Sequence, residues 1–141
     1  MKKTTMMLAA VLTFSAGAVQ AESFEQVFDQ QRALYGKGHE FTYEGKTYTT
    51  DHPEEVEAMA EPSQANAEAL IASAEALRVK SAEVGYEWRD PARYIEQARA
   101  AVAEGQYQQA MNLAARAKYQ ARMSIAQYED AEANWQRAVP E

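Results

Sequence analysis

The stretch Asp90-Pro91-Ala92-Arg93-Tyr94-Ile95-Glu96-Gln97-Ala98-Arg99-Ala100-Ala101-Val102-Ala103-Glu104-Gly105 decides the fold. A good N-cap residue stands directly before a proline at the first helical position, where the missing N–H costs nothing. Asp90 is therefore expected to act as a structural cap. Ile95, Ala98 and Val102 recur at helical spacing and mark the face to be buried. Gly105 supplies a residue suited to the left-handed turn that ends a helix. Only a few residues follow before the next helical pattern, so the two helices should fold back on each other.

That next pattern runs from Tyr107 to about Ala138. Ala110, Ala114, Ala117, Ala121, Ser124, Tyr128, Ala131 and Trp135 alternate spacings of four and three, a heptad-like seam. On the other side, Ser63 can cap an alanine-rich helix reaching Val84. Its seam is Ala67, Leu70, Ala74, Leu77, Ser81 and Val84, and Gly85 stands where a left-handed residue is wanted. These three helices predict a mainly α fold, an antiparallel helical hairpin or three-helix bundle with coiled-coil-like alanine seams.

Upstream the pattern changes. Phe24, Val27, Phe28, Gln31 and Leu34 predict a short amphipathic helix that Gly36 and Gly38 stop. Glu40-Phe41-Thr42-Tyr43-Glu44-Gly45-Lys46-Thr47-Tyr48-Thr49-Thr50 reads as a β-hairpin turning at Glu44-Gly45. Asp51 is expected to cap a further short helix, with Glu54 completing a capping box, and Pro62 interrupts soon after.

The first 21 residues have the layout of a secretory signal peptide. Lys2 and Lys3 make a basic start, an apolar run from Met6 to Val19 follows, and Ala21 is a small residue at the expected cleavage point. The run is shorter than the roughly 20 apolar residues a spanning helix needs. The chain thus divides into a signal peptide at 1–21, an N-terminal segment with short helix and hairpin at 22–62, and a helical domain at 63–141. The expected compartment is the periplasm.

Without Lys2 and Lys3 the chain carries 12 basic against 21 acidic side chains, which disfavours nucleic acid and anionic lipid and weakly favours a cationic partner. The chain has no cysteine, which removes disulfides, thiolate chemistry, iron–sulfur ligation and c-type haem attachment. Stability must come from a core in which each buried alanine removes little apolar area from water.

Helix lengths locate a candidate surface. At about 1.5 Å per residue, the helix from Ser63 is about 33 Å long, the helix from Asp90 about 20 Å and the last about 48 Å. About 25 Å of the last should project beyond the short one. The projecting part begins near Ala121 and carries Ile125, Tyr128 and Trp135. Either the N-terminal segment covers this stripe, or a partner or second copy does. Tyr86-Glu87-Trp88-Arg89 would lie beside it, and Trp, Tyr and Arg are over-represented among interface anchors. The expected partner-binding residues are Tyr86, Trp88, Arg89, Tyr128 and Trp135, although Trp88 could equally pack inward and pin the hairpin.

Chemistry in the chain itself is expected to be absent. His39 and His52 lie near acidic residues, and a metal site there is an open alternative without helical or hairpin spacing to support it. No carboxylate pair, nucleophile elbow or phosphate-binding glycine loop occurs. Neither a catalytic nor a cofactor-binding residue is assigned. Residues 103–110, followed by Ala114 and Ala117, resemble the second half of a tetratricopeptide repeat, but no 34-residue period accompanies them.

Val84-Gly85-Tyr86-Glu87-Trp88-Arg89-Asp90, Ile95-Glu96-Gln97-Ala98, Ala103-Glu104-Gly105-Gln106-Tyr107-Gln108-Gln109-Ala110 and Leu113-Ala114-Ala115-Arg116-Ala117 carry a wider resemblance. From about Ala67 to Trp135 the chain resembles the SoxXA-binding protein (SoxK) family, with Glu-Trp-Arg-Asp the specific element. The resemblance implies a non-catalytic accessory subunit of periplasmic sulfur oxidation that binds the cytochrome complex SoxXA. That complex joins thiosulfate oxidatively to a carrier cysteine, and the small protein supports it. The competing expectation is a general periplasmic helical scaffold or chaperone-like protein, self-associating through its last helix.

Overall fold

The computed structural model describes residues 22–138. The expected signal segment at 1–21, with its expected cleavage point at Ala21, lies outside the described residues, as does Pro140. The chain order is α1 (Phe24–Tyr35), β1 (Glu40–Tyr43), β2 (Lys46–Thr49), α2 (Pro53–Glu57), α3 (Gln64–Glu83), α4 (Asp90–Ala103) and α5 (Tyr107–Ala138). The fold is mainly helical with one small antiparallel hairpin.

Helices α3, α4 and α5 pack on one another, and α2 packs against α5. Ala67, Ala74, Ala98, Ala110, Ala114, Ala117 and Ala121 are wholly buried. Residues this small let helix backbones approach closely, with Leu70, Ile71, Tyr94, Ile95 and Met111 supplying the bulk between them. Val102 is only partly buried, and Ala101 takes the enclosed position beside it. Two serines stand on the same seams. Ser81 and Ser124 are fully buried, and each donates its hydroxyl to the carbonyl three residues back, at 2.7 and 2.8 Å. The hydroxyls are thus satisfied within their own helices and act as small seam residues.

Both inter-helix connections end a helix in the same way. Gly85 at φ 77° lets the Tyr86 N–H reach Ser81 O at 3.0 Å, while its own N–H reaches Ala82 O at 2.9 Å. Gln106 and Gly105 repeat this pair of bonds at the end of α4. A Cβ at such a left-handed position is strained, which is why glycine stands there.

Asp90 differs from expectation. Arg89 already has helical angles (φ −62°, ψ −38°), so Asp90 lies inside the helix and makes no capping hydrogen bond. Its carboxylate instead meets Arg89 Nε and Arg93 Nη2, each at 3.3 Å. It still places negative charge in the first turn, where the helix dipole favours it.

In the N-terminal segment, Ser23 and Gln26 form a capping box on α1. Glu44 (φ 48°) and Gly45 (φ 78°) make the tight hairpin turn, with Tyr43 paired to Lys46. Phe24, Phe28, Phe41, Tyr43 and Tyr48 cluster with ring centroids 4.8 to 6.2 Å apart, so α1 and the hairpin share one aromatic core. The cap of α2 is shifted by one residue. His52 rather than Asp51 is the N-cap, and Glu55 rather than Glu54 accepts the returning N–H, from His52 at 2.8 Å. Glu54 is thereby turned away from the cap toward α5. No helix of the described residues is long and apolar enough to cross a membrane.

Candidate functional site

The end of the molecule where α3 hands over to α4 gathers most of the expected docking residues. The turn at Gly85 throws Tyr86 back over α5, where its ring meets Tyr128 edge-on at 5.3 Å. Two residues on, the Trp88 indole N–H donates to Gln127 Oε1 at 3.1 Å. Arg78 fixes the connection by pairing with both Glu75 on its own helix and Glu87 beyond the turn. Hydrogen bonds to Glu75 and then Glu87 raise the Arg78 pKa, so the guanidinium stays charged.

Trp88 is therefore both pinned and exposed: 39% of it faces solvent even with its N–H engaged. Arg89 stands at the edge with its side chain 92% exposed. Trp135 lies about two turns beyond Tyr128 on the same face. It is 56% exposed and has no ring partner among the described residues. The structure brings Tyr86, Trp88 and Tyr128 together and leaves Arg89 and Trp135 flanking them. Exposed Glu129, Asp130 and Glu132 make the surroundings acidic.

The projecting part of α5 is shorter than the length argument expects. Ala121, Ser124 and Ile125 are buried, and the α3–α4 connection reaches Gln127 and Tyr128. Measuring α5 against α4 alone ignores the longer α3 and the connection, which continue past the end of α4. The connection meets α5 as far as Gln127 and Tyr128, which leaves roughly 15 Å of helix after them.

A second feature sits lower on α5, where the N-terminal segment docks. The five-residue α2 acts as a clasp. Glu54 receives Arg122 Nε at 2.6 Å and Nη2 at 3.1 Å, and Glu57 receives Lys118 Nζ at 2.6 and 2.8 Å. On its other side Glu55 takes a two-pronged bond from Arg32 of α1, at 2.7 and 2.8 Å. His52 completes the joint between Phe28 at 5.4 Å and Tyr119 at 4.4 Å.

The charges follow from this packing. Burial pushes the Glu54 carboxyl up, but hydrogen bonds from Arg122 and from its own backbone outweigh that and leave its pKa lowered. The Arg32 hydrogen bonds lower Glu55. Burial, helped by the Arg32 charge, lowers His52 and favours the neutral imidazole. Two buried oxygens, Asp51 Oδ1 and Gln120 Oε1, have no hydrogen-bond partner among the described residues, and they neighbour His52 and Tyr119 in sequence.

Between α1, α2 and α5 this arrangement leaves a cleft of about 900 Å³ with Arg32, Lys37, His52, Met59, Arg116 and Tyr119 in its walls. Sequence reasoning misses it because its walls come from segments far apart in the chain. The available signal is the row Glu54, Glu55, Glu57 matched by Lys118 and Arg122 one turn apart. His39 stacks on Tyr35 at 4.1 Å, and no three metal-ligating side chains gather among the described residues.

Comparison of the chain with family models, with curated proteins and with solved structures finds no match in any of the three.

Proposed function

We infer that the chain is a non-catalytic periplasmic accessory subunit that binds the SoxXA cytochrome complex and supports thiosulfate or sulfur oxidation. In this reading the helical part is an alanine-seamed three-helix bundle with coiled-coil-like packing. Its working surface is the aromatic end. The observation that carries the reading is Trp88, held in place by Gln127 yet 39% exposed, with Tyr86 and Tyr128 beside it. A pre-ordered aromatic loses little side-chain freedom on binding, which is what an interface anchor needs. The acidic surroundings favour a partner that is basic at its contact face. The signal-like sequence at 1–21 supports the compartment, and the Glu-Trp-Arg-Asp resemblance supports the partner.

The test is calorimetric titration of the mature chain into purified SoxXA. Binding is expected, and Trp88→Ala is expected to weaken it about 30-fold, the loss of an anchor worth about 2 kcal/mol. Helix content by circular dichroism should stay unchanged. Absence of binding to SoxXA refutes the reading. Helix loss without a change in affinity gives Trp88 a purely structural role.

A second reading has its own support. The last turns of α5 carry Trp135, 56% exposed, at heptad spacing from Tyr128. A self-associating periplasmic scaffold would use that stripe. Sedimentation equilibrium over a hundredfold concentration range separates the two, since an accessory subunit stays monomeric when alone.

A further inference from the structure

The cleft between α1, α2 and α5 is an electrostatic exception in an acidic molecule. The chain has a net charge of −7, yet the walls here hold three cations against one carboxylate. That carboxylate, Glu55, is already committed to Arg32. Lys37 and Arg116 have no carboxylate partner among the described residues. Arg116 is nevertheless held in position: its guanidinium lies 4.5 Å over the Tyr94 ring. A cation–π contact consumes no hydrogen-bond acceptor, so the N–H donors of Arg116 remain to be used. Lys37 is presented between Gly36 and Gly38, whose positive φ values of 78° and 75° turn the chain sharply around it.

The rest of the lining combines polar Gln108, Asn112 and His52 with an apolar patch. Ala58, Ala115 and the Tyr119 ring form the floor, and Met59 stands at the rim 63% exposed. A flexible thioether left in solvent beside a cavity is suited to mould itself around an apolar guest. The volume of about 900 Å³ lies within the range of small-molecule sites. Cations after α1 and on α5 without carboxylate partners among the described residues, an apolar floor and an adaptable rim define the ligand class.

We propose that this cleft binds a small amphiphilic anion, its acid group taken by Arg116 and Lys37 and its apolar body laid on Ala58, Met59, Ala115 and Tyr119. The site is separate from the aromatic end and does not depend on the identity of any protein partner.

The test uses the mature full chain and a matched pair of probes at pH 7, naphthalene-2-sulfonate and its neutral counterpart naphthalene-2-sulfonamide, followed by calorimetry. The sulfonate is expected to bind at least tenfold more tightly. The double variant Arg116→Gln/Lys37→Gln should erase that advantage while the sulfonamide affinity and the circular dichroism spectrum stay unchanged. Both side chains are exposed, so the fold is not at stake. Met59→Glu should weaken both probes. Equal affinities for the two probes, undetectable sulfonate binding at millimolar concentration, or an unchanged sulfonate affinity in the double variant would each overturn the proposal. Displacement by inorganic sulfate at an affinity equal to the sulfonate's would overturn the amphiphile and leave only a cation pair. Trp88→Ala should leave sulfonate binding intact, so failure here and failure of the SoxXA reading are distinguishable.

Discussion

Replacing Arg122 by alanine should detach α2 from α5. In the native chain Glu54 is only 2% exposed, and both its oxygens take hydrogen bonds from Arg122, at 2.6 and 3.1 Å. The substitution strands a carboxylate whose burial already opposes ionisation. Breaking a fully buried pair costs about 3–5 kcal/mol. The Arg122 side chain is 41% exposed, so water re-enters beside Glu54 and a cost of about 2 kcal/mol is expected. For a domain of this size that lowers Tm by roughly 10 °C. Glu54→Gln in the same background removes the stranded charge and should recover about half of the loss. The assay is urea unfolding of the two single variants and the double variant, with hydrogen exchange at the Val56 and Ala58 amides as a local readout. A coupling energy of about 1–2 kcal/mol is expected from the cycle. Additive effects within about 0.5 kcal/mol, or unchanged exchange in α2 when Arg122 is gone, would refute the clasp.

Acid should loosen the same joint in two steps. His52, Glu54 and Glu55 all have lowered folded pKa values, so the unfolded state binds more protons and stability falls as pH falls. The histidine step begins as pH drops below its ordinary 6.5, and the carboxylate steps begin below 4.5. His52→Gln should abolish the first step in urea midpoints measured from pH 7.5 to 4, and a flat profile above pH 5 in the native chain would contradict this. Ala117→Leu puts three extra carbons into a wholly buried seam position and should cost about 1–3 kcal/mol by overpacking, read as a lowered Tm. Gly85→Ala forces a side chain to φ 77° and should cost about 1–2 kcal/mol, with a change in tryptophan fluorescence as Trp88 shifts from Gln127.

The elements that announce themselves in sequence are those governed by neighbours. Ser63 caps α3 through Asn66 N–H at 3.1 Å, Gly85 and Gly105 end α3 and α4, and Glu44-Gly45 turns the hairpin. The alanine seams are legible because a 3.6-residue period needs no partner to be seen. Asp90 and Asp51 fail as caps for a different reason. Each sits one residue from a helix boundary, and a competing group settles the register: Arg89 adopts helical angles, and Glu55 answers the His52 N–H. The burial of Ala121–Ile125 and the whole cleft depend on which helix lies alongside which. Arg32 and Glu55 are 23 residues apart, and Glu54 and Arg122 are 68 apart. Over such separations the sequence shows only matching runs of opposite charge, with nothing to say which elements lie side by side. The expected docking residues divide along the same line: Tyr86 and Tyr128 meet only because Gly85 turns the chain back, whereas Trp135 could be placed from its period alone.

Synthesis proceeds from the N-terminus, and the anchors that receive α2 come 61 and 68 positions after it, on the final helix. Until that helix emerges, the early half of the chain has only its own aromatic cluster and the Arg32–Glu55 pair to settle on. The N-terminal half is thereby left pliable until the last helix is made, and its docking waits on the segment delivered last.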